Sequence, residues 1–350
     1  MVSNGFFSQY KKCVIFGGAG FIGCHMARFM LDHGFAGQIY LADIRKPNQA
    51  AGGMWLDQAL ADGRIRVVAV DVRQPVDNPE LPSHADLVFN LAAVHREPGH
   101  EAREYFETNI LGAQNVCNWA DQVGCSRVVF TSSISPYGPV EMPTDEKALT
   151  VPLTPYGSSK LVAEKIHEAW LAADSKQRRL VIVRPGVVFG PGEGGNVTRM
   201  VRAVLGRYFF YMGNRDTIKA GIYVKELCGA IAWALGKVEN EPRGVLIFNG
   251  TFGPPPTVEK FANTILKVVD RNLFIPTVPF ALLFGAATLI DVFMRPLGVR
   301  HPFSPVRIRK LVRSNYIVPG RLMNDGYQYS YTLEQALADW RDERPSDWGL

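Results

Sequence analysis

The sequence is poor in the features that would take it out of ordinary globular chemistry. Its five cysteines, Cys13, Cys24, Cys117, Cys125 and Cys228, are scattered, odd in number and never spaced Cys-x-x-Cys. That pattern excludes a disulfide framework and a structural zinc site, and it implies a reducing cytoplasm and no metal. Uninterrupted apolar runs are also missing. The most apolar stretch, 273–290, is broken by Pro276 and Pro279 and followed by Asp291, which leaves about a dozen clear residues where a membrane-spanning helix needs about 20. The first twelve residues hold Phe6 and Phe7 but no apolar segment of signal-peptide length. Acidic residues are absent from one window: 292–324 carries seven Arg or Lys and no Asp or Glu, although the whole chain is only +5. No basic motif interleaved with aromatics accompanies that charge, so nucleic acid is excluded as a partner. What remains is a soluble chain of 350 residues, 47% hydrophobic, able to bury a large core in one large or two modest domains.

The first informative pattern lies near the N-terminus. Residues 13–17 read as a short buried strand, followed directly by Gly17-Gly18-Ala19-Gly20-Phe21-Ile22-Gly23 and then by a helical pattern through Met26, Phe29 and Met30. Glycines at 17, 20 and 23 permit a tight turn, close backbone approach to a pyrophosphate and close packing of helix on strand. The helix N-terminus adds partial positive charge. A second strand, 38–42, ends at Asp43, whose carboxylate suits the two hydroxyls of an adenosine ribose and repels a 2′-phosphate. This favours NAD over NADP, although Arg45 or Lys46 could hold a 2′-phosphate if Asp43 turned away. Strand patterns recur at 64–70, 86–93, 127–130 and 180–183, separated by helical ones. The alternation predicts an α/β fold with a doubly wound parallel sheet and ligand at the carboxyl ends of the strands.

The second pattern is Thr154-Pro155-Tyr156-Gly157-Ser158-Ser159-Lys160. Thr154 reads as an N-cap and Pro155 as the first helical residue. Leu161, Val162, Ile166, Ala169 and Trp170 supply the apolar face of the helix, and Tyr156 and Lys160, four apart, share one side. A phenol titrates near 10, and a lysine ammonium and an oxidised nicotinamide are the charges that would make it a base at neutral pH. A Tyr-x-x-x-Lys pair alone is ordinary helix surface in most proteins; its meaning comes from the motifs before it.

Taken in order, the glycine turn, Asp43, Asp71-Val72, Asn90-Leu91-Ala92-Ala93, Asn109, Ser132-Ser133, Tyr156-x-x-x-Lys160 and Arg184-Pro185-Gly186 resemble the extended short-chain dehydrogenase/reductase family, and within it the NAD-dependent sugar epimerase/dehydratase group. The resemblance implies a Rossmann domain at 10–185 and a smaller substrate-binding lobe mainly at 186–350, with chain crossings near 215–255, and a homodimer. It makes Tyr156 the catalytic base or acid, Lys160 the holder of the nicotinamide ribose, and Ser133 the hydrogen-bond partner of the reacting oxygen. Gly17, Gly20, Phe21, Ile22, Gly23, Asp43, Leu91, Ala92, Ala93 and Pro185 would line the cofactor. Asp71 and Val72 would contact the adenine, and Asn109 would support the site.

Ser133 is followed by Ile134 and Ser135, where sugar 4,6-dehydratases of this family carry an acid–base Asp-Glu pair. Dehydration is therefore disfavoured. Val187 and the segment 219–224 depart from the common UDP-hexose epimerases, and the chain resembles more closely those acting on N-acetylglucosamine linked to undecaprenyl diphosphate. That comparison implies substrate contacts from His95, Ser133, Ser135, Tyr137, Asn196 and Arg307. It also implies a substrate that is a nucleotide- or lipid-linked sugar diphosphate, in surface polysaccharide biosynthesis. A fainter resemblance in the C-terminal half is to 3β-hydroxysteroid dehydrogenases. A 4-keto-sugar reductase, a steroid-type dehydrogenase and a non-catalytic NAD-binding regulator stay open as rivals. The apolar stretch 273–290 reads either as a core helix or as an interfacial segment, with Arg295, Arg300, Arg307, Arg309, Lys310 and Arg313 drawn to anionic headgroups in peripheral membrane contact. Some of these arginines could instead bind the substrate diphosphate.

Overall fold

The computed structural model describes residues 5–47, 49–96, 99–294 and 313–350. Arg295, Arg300, Arg307, Arg309 and Lys310 lie outside the described residues. In chain order the first half runs β1 Lys12–Phe16, α1 Phe21–Asp32, β2 Gln38–Asp43, α2 Gln49–Ala61, β3 Ile65–Ala69, β4 Leu87–Asn90, α3 Ala102–Phe106, α4 Gly112–Gln122, β5 Arg127–Thr131, α5 Pro155–Ala173 and β6 Arg179–Pro185. The second half continues β7 Val187–Phe189, α6 Asn196–Leu205, β8 Tyr211–Met212, β9 Gly221–Tyr223, α7 Val224–Val238, β10 Val245–Gly250, α8 Val258–Val268, β11 Thr277–Val278 and α9 Phe280–Met294, and the described residues after 312 include helices Gly320–Asn324, Leu333–Glu343 and Pro345–Trp348.

Seven strands form one sheet in the order β10-β6-β5-β4-β1-β2-β3, every neighbouring pair parallel. The period-2 alternation of each strand sorts its apolar side chains between two cores. Cys13, Ile15, Ile39, Leu41, Val181 and Val183 face the side covered by α1, α2 and α7. Val14, Phe16, Tyr40, Leu180 and Ile182 face the side covered by α4 and α5. Strand order reverses between β1 and β4, so the loops after these two strands diverge and open a crevice at their carboxyl ends.

The strand β10, within the region assigned to chain crossings, pairs with β6 from Val245↔Leu180 to Gly250↔Pro185 and brings α7 back against the sheet. A third core holds the second lobe together: Phe189, Val201 of α6, Ile265 of α8, and Leu337, Trp340 and Trp348 of the C-terminal helices. The apolar stretch 273–290 forms neither a fully buried helix nor a continuous one. It begins extended, adds β11 to β8, and only then becomes α9. Phe274 and Leu282 are 91% and 66% exposed, whereas Ala287 is buried. Among the described residues no helix is long and apolar enough to cross a membrane.

Candidate active site

The glycine turn sits in the crevice where the strand order reverses. Gly17 has φ +74, and a Cβ there would lie 2.6 Å from the backbone nitrogen of Ala92, so the turn after β1 packs directly on the segment after β4. Only glycine meets both demands. A Cβ on Gly23 would fall 2.6 Å from the Cα of Gly18, which is the close approach of α1 to its own turn. No side chain caps the N-terminus of α1, which leaves that end, carrying Gly20, Phe21 and Ile22, as an anion-binding terminus.

Asp43 ends β2 with its side chain only 5% exposed. Its Oδ1 accepts the Arg45 backbone N–H at 3.0 Å, and its Oδ2 is buried with no protein donor. A buried anionic oxygen lacking a donor is costly unless a ligand supplies one. The residues therefore fit a dinucleotide whose ribose hydroxyls reach Asp43. Arg45 stays largely exposed at the rim, its Nε 3.5 Å from Asp43 Oδ1. Asp71 is engaged by Arg73 in a two-pronged pair, Nε to Oδ1 at 2.9 Å and Nη2 to Oδ2 at 2.7 Å; this hydrogen-bonded guanidinium holds the carboxyl below its usual range. Val72 is buried against Gly112 of α4. Leu91, Ala92 and Ala93 lie half-buried along the crevice, with the Leu91 N–H bonded to the Phe16 carbonyl at 2.8 Å.

The helix α5 starts as its sequence demands: Thr154 Oγ1 accepts the Gly157 N–H at 3.1 Å, and Pro155 occupies the first turn. Its buried face, however, shares only Trp170 with the apolar row read from the sequence. Ser159, Lys160, Ala163, Glu164, His167 and Trp170 turn inward, whereas Val162 is 43% exposed. The reason is the ligand crevice and a polar interior network, which claim the inward face and push Val162 and Ala169 outward. Gly157 lets α5 press on the Ser133–Tyr137 turn, since a Cβ there would lie 2.7 Å from the Ser135 carbonyl oxygen. Ser133, at the end of β5, is buried; its Oγ accepts the Ser135 N–H at 3.1 Å and donates to Ser135 Oγ at 3.1 Å. The contact through Gly157 thus brings the helix of Tyr156 and Lys160 against the turn that carries Ser133.

Lys160 is wholly buried, with Nζ 4.5 Å from the centre of the Phe130 ring. Burial pushes its ammonium down to about 7, and the Glu164 carboxylate works in the opposite direction. Tyr156 is half-buried, its ring 5.9 Å from that of Tyr105. Tyr105 in turn donates to the Arg96 carbonyl at 2.5 Å, tying α3 to the segment after β4.

Asn109 lies in a single π-helical turn, Glu107–Leu111, between α3 and α4, the kind of helix irregularity that concentrates at functional sites. Its Oδ1 accepts the Val94 N–H at 3.0 Å, and its Nδ2 donates to the Val94 carbonyl at 3.2 Å and to Ser159 Oγ at 2.8 Å. Asn109 is 3% exposed and serves by holding backbone and helix together.

The substrate contacts implied by resemblance separate into groups. Ser135 is half-buried beside Ser133, and His95 is exposed after β4. Tyr137 does not present its hydroxyl to a ligand: it is buried, accepts from Arg184 Nη1 at 2.8 Å and donates to Asn249 Oδ1 at 2.9 Å. Asn196 opens α6 on the surface, its Oδ1 taken by Arg199 at 2.5 Å. Arg307 lies outside the described residues. Pro185 closes β6, and its carbonyl accepts the Ile134 N–H at 3.1 Å.

Two residues that shape the site, Glu164 and His167, were passed over in the sequence, and Arg184 was read only as the start of the Arg184-Pro185-Gly186 motif. Glu164 and Arg184 form a buried ion pair at 2.6 Å, and His167 stacks on Phe130 with its Nδ1 toward the Ala163 carbonyl at 2.7 Å and its Nε2 3.2 Å from Asn90 Nδ2. Burial lowers His167 to about 4, so its ring is neutral. The available signal was spacing: Glu164 and His167 follow Lys160 by four and seven residues, which places all three on one helix face.

Comparison with known proteins accords with this geometry. The NAD dependent epimerase/dehydratase family model matches residues 13–249. The N-acetyl-α-D-glucosaminyl-diphospho-ditrans,octacis-undecaprenol 4-epimerase of Escherichia coli O157:H7 is 26% identical over 267 residues, covering 76% of this chain and 80% of that protein. A 3-beta-hydroxysteroid dehydrogenase of Mycolicibacterium neoaurum is 24% identical, over 94% of this chain and 90% of its own. Among solved structures, the UDP-N-acetylglucosamine 4-epimerase of Methanobrevibacter ruminantium M1 in complex with UDP-N-acetylmuramic acid superposes with a TM-score of 0.72 at 20% identity, over 96% of this chain and 98% of that one. The UDP-glucuronic acid 4-epimerase of Bacillus cereus in complex with UDP-glucuronic acid and NAD gives 0.71 at 18%, over 96% and 99%.

Proposed function

The chain belongs to the NAD dependent epimerase/dehydratase family, and from that premise we propose that it is a 4-epimerase of a diphosphate-linked hexose whose preferred substrate is an N-acetylhexosamine on a polyprenyl diphosphate. The observation that carries the reading is the Gly157–Ser135 contact, which packs the Tyr156–Lys160 helix onto the Ser133 turn, in a chain that lacks the acid–base pair of the dehydratases at Ile134 and Ser135. The match to the E. coli protein supports the lipid-linked carrier.

Bound NAD would supply a hydride acceptor and donor at the sugar carbon. The chain does the rest. Asp43 and the glycine turn hold the dinucleotide, and Ser133 hydrogen-bonds the hydroxyl oxygen at C4. Tyr156, beside the Lys160 ammonium, takes that hydroxyl proton and returns it after the 4-keto sugar has turned its other face, the matched proton transfer that general base catalysis needs.

The test is parallel incubation with UDP-N-acetylglucosamine and with N-acetylglucosamine on undecaprenyl diphosphate, with analysis of the product sugar. Formation of the galacto epimer on the lipid-linked substrate without net change in NADH is the expected result; consumption of one NADH per product overturns it. That second outcome would favour a net reductase of a 4-keto sugar, whereas formation of one NADH from NAD⁺ per product would also overturn the proposal and favour a net dehydrogenase, a reading supported by the near full-length match to the Mycolicibacterium steroid enzyme.

A lipid-linked substrate calls for access to a membrane surface. The exposure of Phe274, Phe280 and Leu282 beside the acid-free window 292–324 supports peripheral contact with anionic lipid. Co-flotation with anionic vesicles is expected, and recovery wholly in the soluble fraction counts against it. Homodimer formation, carried by family resemblance, is open to light scattering.

A further inference from the structure

One turn along α5 from Lys160, Glu164 is wholly enclosed. Its carboxylate accepts three hydrogen bonds, from Ser132 Oγ at 2.5 Å, Arg184 Nε at 2.9 Å and Arg184 Nη2 at 2.6 Å. The remaining arm of the guanidinium donates to Tyr137. A carboxylate buried without partners would be neutral, whereas one gripped by a fork of two N–H groups and a hydroxyl is fixed as an anion. Stability is a poor reason for such a pair, because apolar residues of the same volume serve a core as well or better. The pair is placed instead where a charge is needed. Lys160 is buried with an aromatic face for company, and burial disfavours its charged form.

We propose that Glu164 is a positioning residue: held as an anion by Arg184 and Ser132, it favours the ammonium form of buried Lys160, so that the charge Tyr156 depends on is not lost to burial at neutral pH. Its use in catalysis rests on the function proposed above, but its physical basis does not. The titratable groups that interact electrostatically with Lys160 are Glu164 and neutral His167, one and two turns on along its own helix, and His95 after β4; among them Glu164 is the anion, and it favours the charged lysine. Glu164 acts through Lys160 and carries no reacting atom.

The experiment is an NMR titration of the full-length chain labelled with carbon-13 at lysine Cε, with the Lys160 signal assigned by its loss in Lys160→Met. In the parent protein this signal should titrate near 7, well below ordinary lysine, because the ammonium is buried. Glu164→Gln should move the midpoint down by about one pH unit or more, the scale on which an adjacent opposite charge acts. Glu164→Asp, which keeps the charge, should stay near the parent. The alkaline fall in turnover should move with the midpoint. If Glu164→Gln alone does not fold, the double variant Glu164→Gln/Arg184→Met is compared with Arg184→Met, so that loss of the guanidinium cancels, and should show the same downward movement. A Lys160 midpoint unchanged by loss of the carboxylate, in either variant, overturns the inference. A lowered midpoint in a chain that epimerises no sugar supports it while removing the function proposed above.

Discussion

The side-chain amide of Asn109 donates to the hydroxyl of Ser159 at 2.8 Å, and that hydroxyl donates onward to the Tyr156 carbonyl at 2.8 Å. Through Val94 the same amide grips the segment after β4. Asn109→Ala should therefore loosen the cofactor-side strand and α5 together. The expected cost is about 1–3 kcal/mol of stability for unsatisfied buried groups. Turnover should fall about 10- to 100-fold from misplacement, read by thermal unfolding and steady-state kinetics.

Tyr156→Phe removes the proton carrier and keeps the ring packed against Tyr105. Turnover should fall by about 10²–10⁴-fold, the range of general acid–base contributions. NADH binding, followed by fluorescence, should persist. Full activity in this variant would remove Tyr156 from its assigned role.

Gly157→Ala sets two effects against each other. Helix propensity alone predicts a gain of up to about 1 kcal/mol. The added methyl would stand 2.7 Å from the Ser135 carbonyl oxygen, a backbone atom that cannot swing away, and overpacking of this kind costs about 1–3 kcal/mol. The clash should win: a lower melting temperature, and a larger loss in kcat than in NAD affinity because α5 is driven off the Ser133 turn.

Asp43→Asn removes the buried anion whose Oδ2 has no protein donor and frees Arg45. A hydrogen bond to a charged group contributes about 1.5–3 kcal/mol, so NADH affinity should drop by about 10- to 100-fold. NADPH, no longer repelled at its 2′-phosphate, should gain. Paired fluorescence titrations measure both, and unchanged discrimination would contradict the role given to Asp43.

Acid sensitivity follows from two enclosed histidines. Burial lowers His25 and His167 to about 4, against a smaller opposing effect from hydrogen bonds to the Pro191 and Ala163 carbonyls respectively. Unfolded histidine titrates near 6.5, so the unfolded chain binds more protons between about 6.5 and 4. The stability these neutral rings contribute is complete above that window and is lost as pH falls through it, by on the order of 2 kcal/mol each at pH 5. Denaturant melts at pH 7.5 and 5 should show the loss, and His167→Gln should reduce it.

The parts of the fold that could be read from the chain are those with local causes. The glycine turn, the N-cap at Thr154 and the acid at the end of β2 are each set by a backbone demand within a few residues. What escaped depends on contacts across the chain. The inward face of α5 carries Ser159, Lys160, Glu164 and His167 because partners from β4, β5 and β6 receive them, and nothing near residue 164 announces Arg184. Tyr137 followed the family pattern as a ligand contact, yet its hydroxyl is consumed by Arg184 and by Asn249, 112 positions away. In the stretch 273–290 the break at Pro276 and Pro279 was legible, but the exposure of Phe274 and Leu282 was not, because it depends on what the rest of the chain leaves uncovered.

The place of β10 beside β6 bears on how the molecule can be cut. A fragment ending near residue 185 would keep the glycine turn, Asp43 and all three reactive side chains, yet it would lose the neighbour of β6 and the cover of α7. Its raw border, with Val181 and Val183 uncovered, would recruit other chains edge to edge. The sheet that carries the glycine turn and Asp43 is thus sealed by chain that has first run through β7, α6 and β9, so the two halves of the sequence are not separable modules.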